Sequence, residues 1–258
     1  MKAKRVGEID ILRFVFSVIV MLRHGEYVIG SLKGVPFPGG AFAVEFFFLV
    51  SGYLMMASIE KVSLADEAIE RGRIGEETRN FIWRKLSTFY PEFIVSMIIG
   101  WGVVCISGHY SFVDSIKLLR QSIPEMLLLQ CFGFWGYINA AAWYLSAMLI
   151  SMAILYPLIR KYKETMVCLA LPLISLFILG YMFKTLGHLR GPQDFIYFTF
   201  KGNLRGLAEI SMGAMLYPIA QRLSKISLNR LGRILCSVVK WGCYLICIRY
   251  MTQMWDNK

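Results

Sequence analysis

The amino-acid sequence predicts an all-α protein, a bundle of helices that crosses a lipid bilayer several times. Hydrophobic residues make up 57% of the 258 residues and charged residues only 17%, whereas soluble domains are about 45–50% apolar and about 25% charged. The mean hydropathy is +0.55. A soluble fold of this size would leave large apolar patches exposed to water, whereas a bilayer would cover them.

The apolar residues gather in stretches of about 20, the length that crosses the hydrocarbon core as a helix. Seven stretches are predicted to span the membrane: 10–30, 40–59, 90–107, 142–159, 165–183, 202–220 and 234–254. A further apolar stretch, Ile123 to Ala142, is broken by Pro124, Gly133 and Gly136. We interpret it as a re-entrant segment buried against the other helices, with an eighth span as the alternative.

The distribution of Lys and Arg predicts the orientation of the chain. The net charge of +11 would suggest nucleic-acid binding in a soluble protein, but most of the basic residues lie between the apolar stretches. With a cytoplasmic N-terminus, sixteen of them lie on the inner side and seven on the outer side, which is the positive-inside bias. We therefore expect a multi-pass plasma-membrane protein with one domain, residues 1–258, a cytoplasmic loop at 60–80 and no nucleic-acid partner.

No metal site is expected in this chain. It contains three His residues, which leave little from which to build a ligand cluster. It also lacks a P-loop and a GxGxxG sequence that opens a helix.

Two ionisable residues in the first span are candidates for function, because charged groups inside a bilayer are costly. Arg13 and His24 are eleven residues apart, so on a helix they share one face about 16 Å apart. His is also the side chain best suited to proton transfer near neutral pH. The alternatives are that Arg13 is an interfacial anchor and that His24 bridges two helices.

The second span and the entry to the third contain further candidates. Glu45 lies in an apolar run and needs a partner, either His24 or an Arg from another span, in a functional site or a structural ion pair. Gly52, seven residues on, would allow a helix or a ligand to approach closely. Arg84 and Lys85, at a membrane entry point, suit either an interfacial anchor or a phosphate site.

Later spans add Trp143 and Ser146, which open the fourth, and Arg205 with Glu209 in the sixth. The last two residues are spaced i, i+4 and could form an intrahelical salt bridge.

Together these segments resemble the membrane acyltransferase-3 family, whose members transfer acyl groups, commonly acetyl, from cytosolic acyl-CoA to envelope or secreted glycans. The matching segments, in order, are Arg13 to His24, Glu45 to Gly52, Arg84-Lys85 with Tyr90-Pro91, Trp143 to Ser146, and Arg205 to Gly213. The resemblance covers about residues 6–220. Thr88 stands near the place of the second arginine in the family's basic motif. About seven spans replace the usual ten, so the chain would be a natural short form, a fragment or an inactive relative.

The resemblance implies a site and a reaction. His24 would be the general base, and Glu45 would orient the imidazole or stabilise its cation. Arg13, Ser51, Arg84 and Lys85 would bind acyl-CoA, which is a co-substrate rather than a bound cofactor. Trp143, Ser146 and Arg205 would form an acceptor or structural site, and the acceptor would be a hydroxyl of a cell-envelope or exported carbohydrate.

Two other functions fit the same residues. In a transporter or flippase, Arg13, His24 and Glu45 would relay protons, although the inverted repeats typical of transporters are not evident. A truncated, inactive relative would instead assist glycan assembly.

Lys240 and Arg249 lie on opposite sides of the last span and must snorkel, face lipid or find a partner. We therefore also expect a partner chain or a second copy to cover this C-terminal edge.

Overall fold

The computed structural model describes residues 7–24, 39–65, 73–134, 136, 138–187 and 194–252. The described residues are mostly helical, and the helices are α1 Gly7–His24, α2 Ala43–Ala65, α3 Ile74–Ser107, α4 Phe112–Gln121, α5 Ile123–Met126, α6 Trp143–Lys161, α7 Lys163–Leu186, α8 Lys201–Leu223 and α9 Arg230–Thr252. Helix α7 contains a π-helical stretch at Met166–Ala170. Two short strands, β1 Phe195–Ile196 and β2 Thr199–Phe200, pair antiparallel.

Five of these helices are long and apolar enough to cross a membrane: α2, α3, α6, α7 and α9, in the part of the chain that the structure describes. The other two predicted spans, 10–30 and 202–220, overlap α1 and α8 in their described residues. Both are helical, but α1 carries Glu8, Asp10, Arg13 and Arg23 in 18 residues. Helix α8 is less hydrophobic because Arg205 and Glu209 interrupt it. Five of the seven predicted spans are therefore helices that could cross a membrane, and the predicted count of seven is not confirmed.

The predicted loop at 60–80 is largely helical at both ends. Helix α2 continues to Ala65, and α3 begins at Ile74 rather than near residue 90. The 34 residues of α3 rise about 50 Å, which exceeds the roughly 30 Å of the hydrocarbon core. Helix α3 is therefore longer than one membrane crossing requires, and its first turns carry charged side chains.

The stretch 123–142 contains only short helical pieces. These are α5 and the 3-10 turns Gln130–Phe132 and Ala140–Ala142. Left-handed backbone at Leu128 and Gly133 interrupts the helical conformation. No continuous helix runs through its described residues, so the stretch is not an eighth transmembrane helix.

The chain divides into two compact units, residues 1–50 with 218–258 and residues 51–217. In the first unit, Phe16 and Ile19 of α1 pack with Ala43 and Met251 in a small apolar core. The backbone N–H of Gly39 donates to the carbonyl of Met251 at 3.0 Å. This bond fixes the end of α9 against the turn that precedes α2.

Lys240 of α9 also belongs to the first unit. Its ammonium group donates to Glu8 of α1 at 2.7 Å, whereas the side chain of Arg249 is exposed. Snorkelling, exposure to lipid or a partner within the protein are the outcomes expected for these two residues, and Lys240 has a partner within the protein.

The second unit is built around α6. Its buried face includes Met148, Met152, Leu155 and Ile159, and α3 packs along it. Near the other end of α3, Trp101 donates to the carbonyl of Ser115 at 2.9 Å and holds the amphipathic helix α4.

Candidate active site

Helix α1 carries the first pair of predicted site residues. Because Gly7–His24 is one continuous helix, Arg13 and His24 share a face as expected. The side chain of Arg13 is exposed, and its carbonyl accepts a hydrogen bond from Ser17 at 2.8 Å. The side chain of His24 lies outside the described part of the structure, so its contact with Glu45 stays a prediction.

Glu45 lies in the first turn of α2. The residue is half-buried, and its Oε2 atom is shielded from solvent. The positive end of the helix dipole favours an anion at this position. A shielded carboxylate of this kind suits the predicted role of stabilising a neighbouring imidazolium.

A basic groove of about 500 Å³ lies between α2 and α3. Its lining residues are Ser58, Lys61 and Val62 of α2 and Phe81, Arg84, Lys85 and Thr88 of α3. The i, i+3, i+4 spacing on each helix places these side chains on one face. The predicted pair Arg84 and Lys85 therefore faces the same space as Lys61, which sequence reasoning missed.

The groove is suited to an anion. Among the described residues that line it, three are basic and none is acidic. Within the described part of the chain, neither Lys61 nor Arg84 forms an ion pair. Converging cations repel one another until an anion neutralises them, and phosphate oxygens accept the hydrogen bonds that such groups offer.

Thr88, which the resemblance places near a second arginine of the basic motif, also lines the groove. Its hydroxyl donates to the carbonyl of Arg84 at 2.8 Å. The third positive charge of the groove therefore comes from Lys61, which lies on the other helix.

Ser51, predicted to bind acyl-CoA, lies elsewhere. It is buried, with its Oγ 3.2 Å from the Tyr144 hydroxyl and 3.3 Å from the Met148 sulfur. Seven residues separate it from Ser58, a rise of about 10 Å along α2. Ser51 therefore contacts α6 and does not line the groove with Arg84 and Lys85.

The three predicted acceptor-site residues are brought together in the second unit. The guanidinium of Arg205 lies 5.4 Å from the Trp143 ring centroid, in cation–π geometry. The Ser146 hydroxyl accepts from the backbone N–H of Cys131 at 3.2 Å, and the Cys131 thiol donates to the Trp143 carbonyl at 3.5 Å. All three side chains are buried.

Arg205 and Glu209 form the intrahelical salt bridge that their spacing predicts. The Arg205 Nε lies 3.2 Å from Glu209 Oε1, and each side chain is only 5% exposed. A buried pair of this kind is costly to break, because either partner alone would leave a charge in an apolar interior.

Sequence reasoning missed several polar residues around this cluster. Glu125 is fully buried and accepts from the backbone N–H groups of Ile138 and Asn139, at 3.0 and 2.6 Å. Lys201 is fully buried, with its ammonium 3.7 Å from Asp194. The sequence does indicate that Glu125 is unusual, because a carboxylate in an apolar stretch requires hydrogen-bond donors. It does not indicate which groups supply those hydrogen bonds.

The buried thiol of Cys131 is unsuited to covalent catalysis. Desolvation by burial raises its pKa to about 11, against the smaller lowering effect of its hydrogen bond to Ser146. The thiolate is the nucleophilic form, and it is scarce at neutral pH when the pKa is raised. An acyl group would therefore not be carried on this sulfur.

Comparison with known proteins identifies the family. A family model described as an acyltransferase domain, that of the membrane acyltransferase-3 family, matches residues 6–257, nearly the whole chain. A search of curated proteins and a search of solved structures gave no significant match. On the family match over almost its full length, the chain belongs to the membrane acyltransferase-3 family and is an acyltransferase.

Proposed function

We propose that this acyltransferase transfers an acyl group, acetyl in the first instance, from cytosolic acyl-CoA to a hydroxyl of a cell-envelope or exported carbohydrate. The observation that carries the proposal is the basic groove between α2 and α3. Coenzyme A presents a diphosphate and a phosphomonoester. These are the anions that Lys61, Arg84 and Lys85 are suited to bind.

The position of the groove fits a cytosolic donor. It lies near the C-terminal end of α2 and the first half of α3, where α3 exceeds the membrane thickness. The positive-inside bias favours a cytoplasmic location for these helix ends and for the N-terminus, and we propose the plasma membrane as the site. Acyl-CoA would bind there from the cytosol. The predicted role of Arg13 of α1 as an acyl-CoA-binding residue is also part of this proposal.

The proposed chemical step uses His24 and Glu45. The acceptor hydroxyl attacks the thioester carbon while His24 removes its proton, so the new carbon–oxygen bond forms as the carbon–sulfur bond breaks. The coenzyme A thiolate leaves and takes up the proton held by His24. Glu45 stabilises the imidazolium that forms between these two events.

The buried cluster of Trp143, Ser146 and Arg205 has a positioning role in this proposal. Its side chains are engaged with one another and with the turn at Cys131. We propose that the cluster fixes the start of α6 and the stretch 123–142, which would border the path of the acceptor. Ser51 would support the same interior from α2 through its contacts with Tyr144 and Met148.

The groove gives a direct test of donor binding. The Lys61→Gln/Arg84→Gln double variant should bind coenzyme A at least about tenfold more weakly than the wild-type protein in calorimetry, because hydrogen bonds to charged groups contribute about 1.5–3 kcal/mol each. The matched control is Lys117→Gln/Arg120→Gln, which removes two exposed cations from α4 and should leave binding unchanged. Undiminished binding by the groove variant would contradict the proposed donor site.

A further inference from the structure

The two walls of the basic groove are held by contacts to the end of α6. The Arg160 Nε donates to Glu77 of α3 at 2.8 Å, and its Nη1 donates to Ser63 of α2 at 3.2 Å. One guanidinium thus connects three helices, and its planar set of donors has the geometry for two fixed bonds at once.

A second ion pair and a ring contact lie beside it. The Lys163 ammonium, at the start of α7, donates to Glu60 of α2 at 2.7 Å. One turn before Arg160, Tyr156 stacks on Phe81 of α3 with ring centroids 4.5 Å apart. Phe81 itself lines the groove.

These contacts are close in sequence to the groove cations. Glu60 is adjacent to Lys61 on α2, and Glu77 lies seven residues before Arg84, on the same side of α3. Lys163 and Arg160 neutralise the two carboxylates, which would otherwise repel phosphate. The Arg160–Glu77 pair is also largely shielded from water, with side chains 17% and 24% exposed, so screening weakens it less than it weakens a surface pair.

We propose that Arg160, assisted by Lys163, is a positioning residue for the acyl donor: it fixes α2 and α3 at the separation at which Lys61, Arg84 and Lys85 bind one phosphate-bearing ligand together. Neither Arg160 nor Lys163 lines the groove, so both act through the helices that they connect. This inference rests on the proposed use of the groove for coenzyme A.

The first measurement compares coenzyme A affinity and steady-state kinetics in three variants. Arg160→Gln should raise the Kd for coenzyme A and the KM for acetyl-CoA about five- to tenfold, with little change in kcat. This change lies within the range of couplings between residues in one network. Glu77→Ala should weaken binding as well. If Glu77 acted only through its charge, Glu77→Ala would instead strengthen coenzyme A binding, because the substitution removes a negative charge beside the groove.

The charge-swapped variant Arg160→Glu/Glu77→Arg restores the connection between α3 and α6 and should recover most of the affinity. The matched control is Arg79→Gln, which removes a 3.9 Å pair with Glu76 on the same helix, exposed at 75% and 58%. It should leave the Kd unchanged. If Arg160→Gln fails to accumulate, Arg160→Lys keeps the charge but loses the two-bond geometry, and it should show a smaller rise in Kd.

Three results would overturn the inference: an unchanged Kd in Arg160→Gln or its Lys counterpart, tighter binding by Glu77→Ala, or no recovery in a folded charge-swapped protein. After any of these results, the proposed donor site would still stand if the Lys61→Gln/Arg84→Gln variant binds coenzyme A more weakly than the wild-type protein. A wild-type protein that binds no coenzyme A would overturn both the groove assignment and this inference.

Discussion

Gly52 of α2 lies directly against the carbonyl oxygen of Ile210 of α8, and a Cβ atom at residue 52 would clash with it. Backbone rather than a flexible side chain fills the space, so the neighbour cannot move aside cheaply. The sequence had predicted a close approach at this glycine, and the structure confirms it and identifies the partner helix.

Gly52→Ala should therefore destabilise the protein. Overpacking at such a contact costs about 1–3 kcal/mol, so we expect a lower thermal-unfolding midpoint in detergent. Gly102→Ala on α3 is the matched control, because nothing lies within 4 Å of a Cβ there and Ala favours the helix. An equally stable Gly52→Ala protein would contradict the close crossing of α2 and α8.

Arg205→Ala should also be destabilising, for an electrostatic reason. It leaves the carboxylate of Glu209 without its partner in a site where both side chains are only 5% exposed. Removing one partner of a buried ion pair costs about 3–5 kcal/mol of folding free energy. The double variant Arg205→Met/Glu209→Leu removes both charges and should recover much of the stability, measured by the same thermal unfolding. Equal stability of the single variant and the wild type would show that the pair is not buried.

The raised pKa of Cys131 predicts a slow, strongly pH-dependent alkylation. With a pKa of about 11, roughly one thiol in several thousand is ionised at pH 7.5. The rate should keep rising up to about pH 11, whereas that of an ordinary thiol levels off above about pH 9. Mass-spectrometric rates for Cys131 in a variant that lacks the other cysteines test this, and Cys131→Ser should retain acyl transfer. A plateau near pH 8 would contradict the buried thiol.

The distribution of basic residues predicts that residues 60–80 are cytosolic. A cysteine introduced by Glu70→Cys should not react with a membrane-impermeant reagent in intact cells and should react once the cells are permeabilised. The background requires a chain that lacks the native cysteines. Strong labelling in intact cells would reverse the orientation and place the groove on the outer side.

The sequence predicts where the helices lie better than it predicts which residues of different helices come together. The apolar runs located five helices that are long and apolar enough to span a membrane, and the spacing of Arg205 and Glu209 predicted their salt bridge. It did not predict that Lys61 shares a groove with Arg84, because those residues lie on different helices and only tertiary packing brings them together. The same holds for Arg160, which reads in sequence as one more basic residue at a helix end.

The predicted start of α3 is wrong because charged residues at its beginning form a helix rather than a loop. Residues 74–80 are rich in charge, which favours a loop, yet they form the first turns of α3. Charged residues form helices readily when water solvates them, so hydropathy located the membrane-embedded part of α3 but not its start. Glu125 shows the reverse case, since its buried partners are backbone N–H groups that sequence does not mark.

The most direct test of the central claim is acyl transfer by His24→Ala. Membranes that contain the wild-type chain should incorporate radiolabelled acetyl from acetyl-CoA into the carbohydrate fraction. Membranes with equal amounts of His24→Ala should incorporate about 100- to 10,000-fold less, as expected for loss of a general base. Incorporation at the wild-type rate by His24→Ala would contradict the proposed catalytic role of His24.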